Sequence, residues 1–362
     1  MPFFMPDVQQ SDHYSGDIAR QLLAHYDVHA RTLPWRTPPG TGFANPYHVW
    51  LSEIMLQQTT VAAVGSYFQK FTQSWPSFAA LAAAEDADIM AAWAGLGYYA
   101  RARNLLKCAR VVVAEHKGQL PETEAELLTL PGIGPYTAAA IAAIAFGQRA
   151  VVVDANVERV VSRLFAISIP LPQSKPLIRA ATGRITPDSR AGDFAQAMMD
   201  LGAGLCSVRT PSCFLCPLAF ACDALRLGNP EVYPAKTPKA AKPQRTGRVY
   251  WIERDGQVWL IRRHDKGLLA GMRALPDDQW TARVDGHSTP PAPAAWRQLP
   301  KQVAHIFTHF SLLLDIAVTA WPTGAADPGE GEWWPLKSLD KAGLPTVFRK
   351  AAEAALNAGE RI

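Results

Sequence analysis

The chain has 362 residues, which is long for one domain, so two domains are expected. Hydrophobic residues make up 48% and charged residues 19%, a globular composition that excludes a largely disordered chain. The formal net charge of +4 is too small to identify an anionic partner by itself.

The pattern of apolar and charged residues does not predict a membrane protein or a secreted protein. The start of the chain, Met1 to His13, has acids rather than a basic segment followed by a long apolar core, so no secretory signal is expected. The most apolar stretch, residues 138–146, is too short to span a bilayer. We expect a soluble, intracellular protein.

Residues 16–228 are predicted to be almost entirely helical, because Ala, Leu and Val recur at helical spacing between Gly and Pro residues. The clearest helices are predicted at 86–93, 98–116, 122–130, 135–146 and 157–166.

An acidic residue lies on an apolar face of an early predicted helix. Glu53 shares that face with Val49, Trp50 and Leu56. A carboxyl among such neighbours is poorly solvated, so its pKa should rise and it could hold a proton near neutral pH, as a general acid requires. The alternative is a Glu paired with an Arg or Lys from elsewhere in the fold.

A glycine-containing turn, Leu-Pro-Gly-Ile-Gly-Pro at 130–135, joins two predicted helices. Gly132 and Gly134 permit a tight turn with exposed backbone, and Pro135 suits the first position of the next helix. The bare amides at that helix start suit a phosphate, which they would bind without reading sequence. Any tight helical hairpin could use such a turn, so this motif alone is weakly specific.

A second carboxylate, Asp154, follows the apolar run 150–153 and is predicted to cap a helix. Free amides and the helix dipole would keep it ionised, although a purely structural cap is the commoner role. Paired with Glu53, it would divide the work of glycosidic cleavage: an acid protonates the leaving group while an anion stabilises the cationic sugar. The sequence does not show that the two carboxyls meet.

Four of the five cysteines are clustered: Cys206, Cys213, Cys216 and Cys222, spaced C-x6-C-x2-C-x5-C, while Cys108 is predicted to be core. Four thiolates can close a tetrahedral zinc site or a cubane iron–sulfur cluster. Zinc sites usually pair two short knuckles, so the single C-x2-C here favours iron–sulfur. A cluster fully ligated by protein points to a structural or docking role rather than to catalysis.

The pattern changes after residue 228. Residues 229–247, rich in Pro and Lys, are predicted to form an extended linker, either solvated or lying along a phosphate backbone. Beyond it, Asp255-Gly256 indicates a hairpin, residues 312–320 alternate as one long strand, and 346–358 are predicted to be helical. The second domain is therefore predicted to be mixed α and β.

Together these segments resemble the MutY family of adenine DNA glycosylases, within the endonuclease III superfamily. The resemblance runs from about residue 30 to residue 314. It rests on LPWR at 33–36, SEIMLQQT at 52–59, WAGLGYYARARN at 93–104, the hairpin at 130–136, VDANV at 153–157 and the cysteine cluster. It implies an all-α helix-hairpin-helix glycosylase domain with a [4Fe–4S] cluster over 1–228, the linker over 229–247, and an α+β Nudix-like domain over 248–362.

The resemblance implies that Glu53 protonates adenine and that Asp154 stabilises the oxocarbenium-like sugar, supported by Tyr136 and Asn156. The four cysteines would bind the cluster. Gln58 would wedge into the base stack, with Thr59 and Tyr98 beside the opposite base. The remaining DNA and base contacts that it implies are Arg31, Arg36, Gly132 and Gly134, and, in a lesion-reading loop, Phe307, Thr308 and His309.

The implied partner is double-stranded DNA with adenine opposite 8-oxoguanine, bound by a cytoplasmic monomer that would be nucleoid-associated in a bacterium. Two positions depart from the family pattern: Ala155 replaces a usual Gly, and Glu158 stands where some members have Lys. The first indicates that no positive φ is needed there; the second could weaken a phosphate contact.

Three alternatives stand beside this interpretation. An endonuclease III-like glycosylase and lyase would need a Lys nucleophile where Tyr136 stands, and a phenol cannot form a Schiff base. A non-catalytic iron–sulfur DNA-binding protein would have no need for Glu53. A Nudix pyrophosphatase would need an acidic E-x-x-E-E helix, which is not found between Gly267 and Pro300.

Overall fold

The computed structural model describes residues 15–237, 242–263 and 268–358. The chain divides into two compact units, Met1–Pro238 and Lys239–Ile362. The first is built from helices and the second around a sheet. Within the described ranges, no helix is both long and apolar enough to cross a membrane.

The helices of the first unit follow one another along the chain with short connections. They are α1 Ser15–His29, α2 Pro46–Leu56, α3 Val61–Ser74, α4 Phe78–Ala82, α5 Asp86–Trp93, α6 Ala100–His116, α7 Glu124–Leu127, α8 Pro135–Phe146, α9 Ala155–Leu164, α10 Lys175–Ile185, α11 Ala191–Ala203 and α12 Asp223–Arg226, with 3₁₀ turns at Cys213–Leu215, Ala219–Ala221 and Pro230–Val232.

Helix α8 lies at the centre of this unit. Pro135 occupies its first turn, and Gly147 ends it in the left-handed conformation (φ 66°). The helix is buried almost all round and rich in Ala, so α2 and α11 can pack closely against it. A Cβ on Gly192 of α11 would lie 2.4 Å from the carbonyl oxygen of Ala143. This packing brings α2, α8, α9 and α11 together.

The second unit contains a seven-stranded mixed sheet. Its strands are β1 Gln244–Arg254, β2 Gln257–Arg262, β3 Arg273–Ala274, β4 Arg297–Gln298, β5 Val303–Ile306, β6 Ser311–Ala320 and β7 Glu332–Pro335. The order is β3-β2-β1-β6-β4, with β5 paired to β6 and β7 to β2; β1 and β6 run parallel. A 3₁₀ segment, Leu336–Ala342, and helix α13, Thr346–Asn357, complete the unit, and α13 packs on β5 and β6.

The predicted helical unit followed by an α+β unit is confirmed, and several elements match closely. Helices α5 and α8 have the predicted bounds, and the hairpin turn between β1 and β2 is Asp255-Gly256, both with positive φ (49° and 73°). Helix α7 is shorter than the predicted 122–130. The Thr123 hydroxyl caps its start. Towards its end, Pro131 disfavours helical angles in the residue that precedes it.

The segment predicted as a linker, 229–247, is structured at both ends. Pro230–Val232 forms a 3₁₀ turn, because the buried Arg163 donates hydrogen bonds to the carbonyls of Pro230 (2.8 Å) and Tyr233 (3.2 Å). At the other end, β1 begins at Gln244, which pairs with Ser311 of β6. The structure therefore corrects the prediction of an extended linker over the whole of this range.

Candidate active site

A cavity of about 470 Å³ opens where α2, α8, α9 and α11 meet. Much of its wall consists of residues that the sequence had singled out. They are Arg31, Arg36, Glu53, Gln58, Thr59, Tyr136, Asp154 and Asn156. The two carboxyls that the sequence could not place relative to one another therefore border one cavity.

Glu53 is only 7% exposed, on the buried face of α2. Burial raises its pKa from 4.5 to about 7. A hydrogen bond from the Tyr136 hydroxyl and the charge of Arg36 lower the pKa, whereas the nearby charge of Asp154 raises it. Arg36 is not ion-paired with Glu53, because its Nη1 donates instead to Asp200 (2.8 Å). Glu53 is thus set to hold a proton near neutral pH.

Asp154 occupies a different environment at the start of α9. Its Oδ1 accepts from the amide of Val157 (2.7 Å) and its Oδ2 from the Asn156 side chain (2.8 Å). These two donors fix the orientation of the carboxyl group at the N-terminus of α9. Asp154 is therefore a helix cap, as predicted from sequence, and it also borders the cavity.

Arg159 connects this cap to the cysteine region. Its Nη2 donates to Asn156 Oδ1 (3.0 Å) and to the carbonyl of Gly202 (2.6 Å), while its Nε donates to the carbonyl of Cys206 (2.9 Å). Asn156 is fixed on one side by Asp154 and on the other by Arg159. The orientation of the Asp154 carboxylate consequently depends on the Arg159 side chain further along α9 and, through it, on the backbone of α11.

The two arginines predicted for the pocket share one acid. Arg31 donates to Asp200 through Nε (2.6 Å) and through its backbone amide (3.1 Å), and Arg36 through Nη1 (2.8 Å). Burial pushes the Asp200 pKa up, but the hydrogen bonds and charges of Arg36 and Arg31 leave it below its ordinary value. The ion pairs hold both arginines in place on the cavity wall.

Two residues, one on the cavity wall and one joined to it through Arg101, have unusual backbone angles. Gln58, just after α2, has φ 59°, and Tyr98, just before α6, has φ 50° and is 53% exposed. Left-handed conformations in residues other than Gly are uncommon and tend to occur at functional sites. Arg101 lies between them: its guanidinium stacks on the Tyr98 ring (5.5 Å) and its Nη2 donates to Thr59 Oγ1 (3.0 Å).

The helix-hairpin-helix turn lies at the start of α8, directly before Tyr136. Gly132 has φ 79°, and a Cβ there would come within 2.9 Å of Asn104, so α6 and the turn approach closely because this residue is Gly. Gly134 is the N-cap and has ordinary extended angles. No side chain caps this helix start, so its amides remain available to an anion.

The four clustered cysteines follow α11 and surround the 3₁₀ turns before α12. All four are free thiols of intermediate burial. Burial raises the pKa of Cys216 to about 11, and the charges of the other three thiols also raise it, so the four lie within electrostatic reach of each other. Arg163 Nη1 donates to Cys206 Sγ (3.2 Å). In the described part of the chain, no three His, Cys, Asp or Glu side chains are arranged around a single metal-ion position.

The predicted lesion-reading loop forms the tip of the β5–β6 hairpin. The amide of Phe307 donates to the carbonyl of Phe310 (2.9 Å), and the two rings stack at 4.7 Å. Thr308 and His309, between them, are exposed. Phe307 therefore packs within its own unit, whereas Thr308 and His309 are accessible to a partner. Between 268 and 300, all described, β3 and β4 are the regular elements and there is no helix.

Sequence reasoning missed three polar residues that hydrogen-bond to side chains of the cavity wall: Asp200, Arg101 and Arg159. Asp200 lies among apolar residues near the end of α11, the same pattern that singled out Glu53, and so could have been found. The acceptors of Arg101 are mostly backbone carbonyls, which no sequence motif reveals.

The two departures from the family pattern have local explanations. Ala155 is the first residue of α9, where helical angles are needed and a glycine is not. The Glu158 carboxylate forms an ion pair with Lys175 Nζ (3.1 Å), which offsets the negative charge of Glu158. Neither change alters the Asp154 cap.

Comparison with known families matches the two units separately. Residues 51–182 match the family described as HhH-GPD superfamily base excision DNA repair protein, and residues 248–354 match the NUDIX domain family. The boundary between these matches falls in the same part of the chain as the boundary between the two units.

The full chain is similar to curated adenine DNA glycosylases. The human protein is 32% identical over 412 aligned positions, which cover 94% of this chain and 75% of that protein. The Arabidopsis thaliana protein is 38% identical over 305 positions, covering 74% of this chain but 48% of that protein. A solved structure described as a thermostable thymine-DNA glycosylase has a TM-score of 0.54 at 28% identity, covering 61% of this chain and 100% of that one.

Proposed function

Because this chain belongs to the adenine DNA glycosylase family of the HhH-GPD superfamily, we propose that it hydrolyses the N-glycosidic bond of adenine opposite 8-oxoguanine or guanine in duplex DNA. The observation that supports this most directly is the pair of carboxyls on one cavity. Glu53 has a pKa of about 7, and Asp154 is held by two hydrogen-bond donors.

In the first step, an adenine that has left the base stack enters the cavity and Glu53 protonates a ring nitrogen. The base can then leave as a neutral molecule, taking the electrons of the bond to C1′. The Tyr136 hydroxyl, whose own pKa is raised far above its ordinary range mainly by burial, remains a hydrogen-bond donor to Glu53. It therefore orients the acid without competing as a base.

As the bond breaks, positive charge develops on the sugar. The Asp154 carboxylate stabilises that charge, and Asn156 and Arg159 fix its orientation. Water then adds to C1′ and its released proton returns to the Glu53 carboxylate, so that the products are free adenine and an abasic site and the acid is regenerated. This position of the hairpin is Tyr136 rather than a lysine, and a phenol cannot form a Schiff base with the sugar. Hydrolysis is therefore favoured over strand cleavage.

DNA would be bound by three groups of residues. The free amides at the start of α8 suit a backbone phosphate. Gln58 and Thr59 on the cavity wall, with Tyr98 beside Arg101, suit the gap left by the extruded base. Unstacking costs a few kcal/mol, which contacts from these residues offset. Thr308 and His309 at the exposed hairpin tip would distinguish 8-oxoguanine from guanine.

The four cysteines would bind a [4Fe–4S] cluster. Their chemistry fits this group: four free thiols near one another, with backbone amides of Leu218 and Leu225 donating to Cys216 and Cys222. With all its positions filled by protein sulfur, the cluster would supply structural support for the helices that hold Asp154. Arg159, which also contacts the Cys206 carbonyl, would transmit that support.

One assay separates this function from its alternatives. The protein is incubated with duplexes that contain adenine opposite 8-oxoguanine, adenine opposite guanine, or thymine glycol, and strand cleavage is scored with and without alkali. We expect cleavage of the adenine strands only after alkali, fastest opposite 8-oxoguanine. Nicking at thymine glycol without alkali would indicate an endonuclease III-like lyase, and no base release from any duplex would indicate a binding protein.

A further inference from the structure

Arg101 of α6 is a buried cation at the end of α2. It is 9% exposed. Its Nη1 donates to the carbonyls of Ile54 (3.1 Å) and Met55 (2.8 Å), in the last helical turn, and its Nη2 donates to Thr59 Oγ1 (3.0 Å). The last carbonyls of a helix have no partner within the helix, and a cation there also interacts favourably with the helix dipole. Arg101 thus fixes the end of the helix that contains Glu53.

The same guanidinium binds a second segment. Its Nη2 also donates to the carbonyls of Leu96 (3.1 Å) and Gly97 (3.3 Å). Its Cζ lies 5.3 Å from the centre of the Trp93 ring and 5.5 Å from the centre of the Tyr98 ring. One side chain therefore joins two turns that are separated in sequence, residues 57–59 and residues 95–98. We call these the wedge turn and the tyrosine turn.

This arrangement is costly for a purely structural contact. Among the ion pairs of the described residues, none involves Arg101, so its charge is buried against neutral oxygens and aromatic rings. Burying an ion costs several kcal/mol unless its hydrogen bonds are satisfied. The two turns also contain the strained residues Gln58 (φ 59°) and Tyr98 (φ 50°), and such conformations persist only where the surroundings enforce them.

We propose that Arg101 is a positioning residue for base extrusion: it locks the wedge turn and the tyrosine turn into one rigid rim, so that Gln58 and Tyr98 enter the base stack together. The inference rests on the proposed adenine excision. Base extrusion requires that the two turns keep their positions when Gln58 and Tyr98 press against the stacked bases. Arg101 itself contacts neither the adenine nor the reacting atoms.

The first test compares adenines that differ in how much unstacking they need. Single-turnover excision is measured for adenine paired opposite guanine and for an unpaired, bulged adenine. Replacing Arg101 by Met should slow excision of the paired adenine about 10²-fold, the loss typical of a misplacement of about 1 Å. The bulged adenine should be slowed less than about 3-fold, because little stacking has to be broken.

A control for the Arg-to-Met change lies on the same helix, at an exposed arginine that is ion-paired with Asp86. Arg110 of α6 also donates to carbonyls, of Ala82 (3.3 Å) and Ala84 (3.2 Å), but on the side of the helix away from the rim turns. Arg110→Met should leave both substrates unchanged. Thr59→Val, which removes one acceptor of Arg101 and little volume, should reproduce the Arg101→Met pattern at smaller amplitude and covers the case that Arg101→Met folds poorly.

Two further readouts separate positioning from general destabilisation. With 2-aminopurine in place of the target adenine, the fluorescence rise on binding should be reduced in Arg101→Met at saturating protein. In a double-mutant cycle, Arg101→Met should add little to Gln58→Ala, because both remove the same function. Fully additive losses, or equal slowing of paired and bulged adenine, would overturn the proposal.

The fluorescence measurement does not depend on excision. If the wild-type protein unstacks the probe but releases no adenine from any duplex, the proposed function is wrong. The role of Arg101 is then decided by the probe alone: an unchanged fluorescence rise in Arg101→Met contradicts it, and a reduced rise supports it.

Discussion

Two buried carboxyls, one in each unit, have nearly the same exposure but different surroundings. Glu53 is 7% exposed and the Asp277 side chain 6% exposed, and burial raises the pKa of both. Asp277 is ion-paired with Arg263 and accepts from the amide of Gln279 (2.8 Å). Glu53 has the Tyr136 hydroxyl as its partner and borders a cavity of about 470 Å³.

The difference shows that burial and a raised pKa do not by themselves identify a catalytic acid. The Asp277 carboxyl is held in its ion pair with Arg263. The Arg263 guanidinium in turn lies over the Trp280 ring, 4.9 Å from its centre. Glu53 retains a proton that an incoming base can accept. Replacing each carboxyl by its amide should therefore affect the chemistry in the first case and the stability in the second.

The largest effect is expected for Glu53→Gln. A glutamine has the same shape but no acidic proton, so single-turnover adenine excision should fall by about 10²- to 10⁴-fold, the usual contribution of a general acid. DNA binding, measured by fluorescence anisotropy, should change little. Glu115→Gln, an exposed carboxyl on α6, serves as the control. Substantial excision by Glu53→Gln would remove the acid from the mechanism and erase its contrast with Asp277.

Asp154→Asn should come next, with a loss of about 10²- to 10³-fold. The asparagine can still accept from the Val157 amide, so the helix cap survives while the negative charge beside the sugar disappears. Asp154→Ala should lose similar activity and about 1 kcal/mol of unfolding free energy in addition. If the asparagine variant is as active as wild type, Asp154 is a structural cap only.

The sequence predicted those elements whose signals are local. The bounds of α8 follow from Pro135 and Gly147, and the β1–β2 turn follows from Asp255-Gly256. Glu53 could be identified because its apolar neighbours lie on the same helix. Each of these arguments needs only the few residues around the feature.

Long-range pairing could not be predicted in the same way. Arg36 and Asp200 are 164 residues apart, and nothing in either segment names the other. Arg101 acts on backbone carbonyls of α2, and every residue has such a carbonyl. The prediction of a linker over 229–247 was also too simple, because the acceptors that Arg163 needs are the carbonyls of Pro230 and Tyr233.

The pH dependence of excision should report Glu53. Its pKa of about 7 means that the protonated form is lost above neutrality, so the rate should fall roughly 50-fold between pH 7 and pH 9. Because this pKa is raised from 4.5, the stability that Glu53 contributes is present at low pH and is lost as the pH rises through 7. Glu53→Gln should therefore unfold at a higher temperature than wild type at pH 8, and more nearly the same at pH 5.

Asp277→Asn should produce the opposite pattern. It leaves the Arg263 cation, which is 14% exposed, without its partner, and breaking such a pair costs about 3 kcal/mol or more. Denaturation followed by tryptophan fluorescence should show a destabilised second unit, since Trp280 lies under Arg263. Excision of adenine opposite guanine should stay within about 3-fold of wild type at temperatures where the second unit is folded. A stable but inactive Asp277→Asn protein would contradict the comparison.

The smallest effects are expected at the tip of the β5–β6 hairpin. Thr308 and His309 are exposed, so replacing either by Ala should not change the unfolding temperature. If the Thr308 hydroxyl contributes one hydrogen bond to the lesion, worth about 1 kcal/mol, Thr308→Ala should reduce the preference for 8-oxoguanine over guanine about 5-fold. His309→Ala should act in the same direction.

The informative quantity is the ratio of the two excision rates, because Glu53 and Asp154 remain intact and the chemical step is unchanged. Thr289→Ala, an exposed threonine elsewhere in the same unit, provides the matched control. An unchanged ratio in both Thr308→Ala and His309→Ala would exclude this hairpin from lesion recognition. Adenine choice would then rest on the cavity that Glu53 borders.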